Sequence, residues 1–129
     1  DALRVTGRGM NFSFNTPDMK IVLLADAPEE GVSHNPEITK QVLLRRGDLP
    51  HLTSLSRSRL LPGQTARAHA HDRMHEVFFV ESGAGLMRVG DQEVALGAGT
   101  CVAVEPGESH EIANTGANDL VLIYFGIEE

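Results

Sequence analysis

The stretch Gly63–Gly83, GQTARAHAHDRMHEVFFVESG, decides how the rest of this chain is read. It sets His69 and His71 two residues apart and brings in Glu76 five residues later, at the head of the apolar run Val77-Phe78-Phe79-Val80. Side chains two apart in a strand point to one face. Two imidazoles on one face, with a carboxylate entering from the next strand, make most of a metal site. His110 is the downstream candidate for a fourth ligand.

Outward from this stretch, the pattern is short strands punctuated by glycine. Leu52–Leu61 alternates and stops at Pro62-Gly63. Thr65–His71, Glu76–Glu81, Leu86–Val89, Glu93–Leu96, Thr100–Val104, His110–Ala113 and Leu120–Phe125 follow as strands. The turns between them are Gly83-Ala84-Gly85, Gly90-Asp91-Gln92, Gly97-Ala98-Gly99 and Pro106-Gly107. Strands at intervals of about 8–12 residues indicate an all-β sandwich or barrel. Upstream, Ile21–Ala25 and Thr39–Arg45 have strand character, and Asp26–Pro36 reads as a loop. Residues 1–38 are expected to form an N-terminal arm and edge strand, and residues 39–129 the barrel.

Two spaced motifs within residues 63–114 resemble those of the cupins. The first is Gly63, five residues, His69, one residue, His71, four residues, Glu76, six residues, Gly83. The second is Gly99, five residues, Glu105-Pro106-Gly107, two residues, His110, three residues, Asn114. Glu105 stands where the pattern usually has proline, with Pro106 beside it to stiffen the turn. The resemblance implies a double-stranded β-helix, a jelly-roll barrel, holding one metal inside through His69, His71, Glu76 and His110. Three neutral imidazoles and a carboxylate suit a divalent transition metal: iron or manganese by preference, with zinc, nickel or copper as alternatives. Glycines 63, 83, 99 and 107 are expected to take positive φ at the barrel ends.

Other residues carry secondary expectations. Tyr124 and His75 are the candidates for a catalytic acid or base, although alternation sends His75 to the face opposite Glu76. Phe78 and Val80 share Glu76's face and are expected to line the cavity. His34 and His51 fall in loops and are assigned to solvent, and Asn114 to holding its own turn. Cys101, in an apolar strand, is expected to be a buried, inert hydrophobe. Arg57, Arg59, Arg67, Arg73 and Arg88 are assigned to the outer face; one that turned inward would favour an anionic substrate.

Totals narrow the function class. At 129 residues with net charge −7, the chain fits one domain and not a nucleic-acid or anionic-membrane partner. The single cysteine fits a reducing compartment, and no apolar stretch approaches the roughly 18 residues of a membrane span, so a cytoplasmic location is expected. The expected function is a metal-dependent enzyme acting on a small molecule, oxygen-activating and dioxygenase-like. The alternatives are a non-catalytic protein binding a metal or small ligand, and a metal-dependent isomerase, lyase or cyclase. A homodimer is expected because residues 1–26 exceed what the barrel needs and open sheet edges require covering.

Overall fold

The computed structural model describes residues 4–5 and 19–129. The expected arm lies in part outside the described residues, at 1–3 and 6–18. Its visible parts are β1 (Arg4–Val5) and β2 (Lys20–Ile21), which pair in parallel. The barrel strands are β3 (Glu29–Val32), β4 (Asn35–Arg45), β5 (Leu52–Leu60), β6 (Thr65–His69), β7 (Met74–Ser82), β8 (Ala84–Val89), β9 (Gln92–Gly97), β10 (Cys101–Val104), β11 (His110–Ala113) and β12 (Leu120–Glu128). They form a six-stranded sheet, β10-β7-β12-β5-β4-β3, facing a four-stranded sheet, β6-β11-β8-β9. Every pairing in both sheets is antiparallel. This is the all-β sandwich expected from the strand spacing, with the jelly-roll form that the resemblance implies.

The core lies between the sheets and is built by alternation. Phe78 and Val80 of β7, Leu120 and Leu122 of β12, Leu60 of β5 and Ile38 of β4 face Met87, Leu96 and Ile112 of the smaller sheet. With Val104 of β10, ten such residues form one buried cluster, and Phe78 of it reaches the histidines, its ring 5.7 Å from that of His110. Positive φ occurs at Gly63, Gly83, Gly99 and Gly107, as expected, and also at Gly47 and Gly90.

Two upstream readings need correction. The run 21–25 is not a strand: after Ile21 the chain turns through a 3₁₀ segment at Leu24–Asp26, leaving Leu23 and Leu24 on the surface. The expected loop 26–36 contains β3 and the start of β4. As the edge strand, β3 pairs only with β4, so its composition stays polar and its strand signal weak. Gly31 permits this pairing, because a Cβ there would lie 2.9 Å from the Pro36 carbonyl oxygen. The sheet thus reaches upstream of residue 39.

Candidate metal centre

Strands from both sheets converge at one end of the cavity. β6 carries His69 and leads into His71, β7 carries Glu76, and β11 carries His110. His110 is paired in register with His69 across β11 and β6. One potential ligand atom from each of the four residues lies within 4.8 Å of all the others. An ion with bonds of about 2.1 Å spans opposite ligands by roughly 4.2 Å, so the set fits one ion with a small closure.

The hydrogen bonds prepare the same atoms. His69 Nδ1 lies 3.0 Å from the Arg67 carbonyl oxygen, and His110 Nδ1 lies 3.1 Å from the Glu108 carbonyl oxygen. A carbonyl only accepts, so each Nδ1 carries the proton and each Nε2 presents a lone pair. Glu76 Oε1 is 3.1 Å from His110 Nε2 and 3.6 Å from His71 Nε2, but it is not aligned with either as a hydrogen bond. Glu76 Oε1 and His110 Nε2 are buried without a hydrogen-bond partner. Leaving two such atoms unsatisfied is costly, and a cation between them satisfies both.

Electrostatics separates the histidines. Burial opposes charge on His110, but the Glu76 carboxylate and the Glu108 carbonyl outweigh it and raise the ring above its ordinary value. Burial lowers His71, and the neighbouring imidazoles add to this against the pull of Glu76.

The four residues open onto a cavity of about 640 Å³. Phe78 lines it, as expected, while Val80 lies deeper in the core. Tyr124 also lines it, stacked on Phe78 at 5.6 Å between ring centroids. Burial, with the Glu76 carboxylate adding to it, pushes the Tyr124 hydroxyl up to about 12, while Ser56 pulls the other way. Tyr124 is therefore a neutral hydrogen-bond donor, which fits it poorly to act as a base near neutral pH.

His75 is corrected away from a catalytic role. It lies on the exposed outer side of β7, with Nε2 2.7 Å from Glu105 Oε2, because strand alternation gives the inner face to Glu76. Cys101 is exposed rather than buried, since Val102 and Val104 take the inner side of β10. His51 is at the surface and Asn114 holds its turn through Gly116, as expected. Arg57, Arg59 and Arg88 pair outside with Glu81, Asp119 and Glu93. Arg67 donates to the His34 carbonyl oxygen. Arg73 instead joins the cavity rim.

His34, assigned to solvent, is exposed but also lines the cavity, and Asn35 and Lys40 are among the lining residues that escaped the sequence reading. His34 stands at the mouth, its ring 5.9 Å from that of His69. Asn35 and Lys40 lie further in on β4. A signal existed for Lys40, which on strict alternation shares a face with Ile38 and Val42. For Asn35 there was none, since its position depends on the β3–β4 turn.

The profile of the Cupin domain matches residues 56–126. An oxalate-binding protein of Thermotoga maritima is 34% identical over 65 residues, covering 50% of this chain and 54% of the relative. The chain thus spans about half the length of that curated relative. The crystal structure of a predicted oxalate decarboxylase from Thermotoga maritima superposes with a TM-score of 0.79 at 24% identity, covering 84% of this chain and 99% of that one. The structure of KdgF from Halomonas sp. superposes with a TM-score of 0.69 at 17% identity, covering 83% and 94%. The two structures support the fold alone.

Proposed function

Because the chain belongs to the cupin family, we propose that His69, His71, Glu76 and His110 hold one divalent transition metal and that a small organic carboxylate binds at that ion. The observation that carries this reading is the pair of buried atoms without a hydrogen-bond partner, Glu76 Oε1 and His110 Nε2, within the cluster of four. When bound, the metal supplies Lewis acidity, and iron or manganese adds oxygen chemistry. The chain's own residues orient and enclose the ligand. Arg67 and Glu108 carbonyls fix the imidazoles, Phe78 and Leu60 keep one wall apolar, and the Tyr124 hydroxyl donates to a bound oxygen. The oxalate-binding relative supports oxalate as the first probe.

An oxygen-activating enzyme is the second reading, favoured by a donor set of three imidazoles and one carboxylate. Elemental analysis of protein purified without chelator or a nickel column tests the first step. The expected result is about one transition metal per chain, lost in His110→Ala, with oxalate binding by calorimetry lost alongside it. Unchanged metal content in that variant rejects the ligand set. Carbon dioxide release and oxygen uptake with oxalate then separate decarboxylation, oxygenation and simple binding.

We also propose that the chain pairs with a second copy through the outer face of its larger sheet. Ala103, Val77, Phe125, Leu55 and Leu44 form a cross-strand apolar row there. Beside it Phe79 is 42% exposed, where a solvated face would be polar. The Arg57–Glu81 fork on the same face offers both charge signs, which a twofold axis can match despite the net charge of −7.

A further inference from the structure

Among the described residues, four buried side-chain polar atoms lack a hydrogen-bond partner, and three of them belong to residues that line this one cavity. Two are Glu76 Oε1 and His110 Nε2. The third, Asn35 Nδ2, belongs to no metal ligand.

Asn35 is 1% exposed. Its Oδ1 accepts the Arg67 backbone N–H at 3.3 Å. An amide N–H only donates, so the carboxamide orientation is fixed and the unused Nδ2 is a donor. Arg67 lies two residues before His69 on β6, roughly 7 Å along the strand. The residue with the free donor is thus tied to β6 two positions before His69 and lines the same cavity as the four metal-site residues. On the same β4, Lys40 is half-buried and lines the cavity, and its ammonium has no hydrogen bond or ion pair among the described residues. It is paired in register with Ser58 on one side and Glu30 on the other, which sets it on the inner face. A buried donor and a half-buried cation on one wall are both satisfied by an anionic oxygen.

The cavity, about 640 Å³, is also far larger than an oxalate dianion of six heavy atoms requires. We propose that the ligand is a dicarboxylate longer than oxalate, with one carboxylate at the His69, His71, Glu76 and His110 set and the other received by Asn35 Nδ2 under the charge of Lys40. This rests on the preceding reading of the metal-bound carboxylate and adds its second anchor. Asn35 and Lys40 are positioning and specificity residues, and the apolar wall of Ile38, Leu60 and Phe78 packs the carbon chain between the two ends.

The test is calorimetry on metal-loaded protein with succinate and with butyrate, which matches it in length but lacks the second carboxylate. The wild type is expected to bind succinate more tightly than butyrate. Asn35→Asp keeps the oxygen that accepts from Arg67 but replaces the donor with a negative oxygen. It is expected to weaken succinate roughly 10- to 100-fold, to leave butyrate within about twofold, and to keep full metal content. Lys40→Met, which disturbs no side-chain hydrogen bond among the described residues, is expected to reduce the succinate preference as well. Equal affinity of the wild type for succinate and butyrate overturns the second anchor while leaving the metal-bound carboxylate standing. Equal succinate affinity in both variants and wild type does the same. If neither acid nor oxalate binds metal-loaded wild type, the carboxylate reading itself fails and the second anchor with it.

Discussion

His110 shows how one residue ties the backbone to the chemistry. Its Nδ1 proton is committed to the Glu108 carbonyl, and its Nε2 faces Glu76. In the metal-free protein the raised His110 holds a proton above the ordinary value of 6.5. Folded-state protonation is then favoured, so this group stabilises the metal-free fold fully below the unfolded value. That contribution is lost as pH rises through the higher folded value. Metal requires the same nitrogen bare, so metal uptake has the opposite dependence. The stabilisation of the protein by metal should therefore grow as pH rises from about 5.5 to 8. Thermal unfolding with and without chelator at several pH values measures it. A metal-induced shift that is flat across this range would contradict the Glu76–His110 coupling.

At the scale of the element, the turn from β7 to β8 hands the chain from the larger sheet to the smaller one, and Gly83 is its pivot. Its φ is +92°, and a Cβ there would sit 2.3 Å from the Asp119 carbonyl oxygen. Gly99 has a similar φ of +88°, but a Cβ there would meet nothing within 4 Å. The two glycines thus separate backbone strain from steric exclusion. Gly99→Ala is expected to cost about 1 kcal/mol, and Gly83→Ala about 2 kcal/mol or more. Urea unfolding of both variants compares them. Equal losses would mean that the approach of β12 to the turn relaxes freely.

For the whole molecule, the question is what covers the outer face of the larger sheet. Phe79 and Cys101 lie opposite each other there, both exposed, and Ile127 is 44% exposed. If two copies meet on this face, sedimentation should give twice the chain mass at micromolar concentration. Phe79→Lys should then give monomers that keep their metal, because the substituted side chain lies on the opposite side of β7 from Glu76. A monomeric wild type would leave the apolar row without its proposed occupant.

Local rules governed everything that the residues alone made legible. Alternation marked the strands from residue 52 onward, positive-φ turns demanded their glycines, and the His-x-His spacing with Glu76 and His110 named the four residues that the fold brings together. Alternation also put His75 on the far face, because it needs no partner strand. Tertiary structure decided the rest. The polar edge strand β3 exists only through its pairing with β4. Cys101 is exposed because its edge strand has a free outer face, and the sequence carries no mark of which side of a sheet meets water. Asn35 and His34 enter the cavity because the β3–β4 turn folds against β6, far away in sequence. Local preference is encoded residue by residue, whereas the lining of a cavity depends on which distant strands become neighbours.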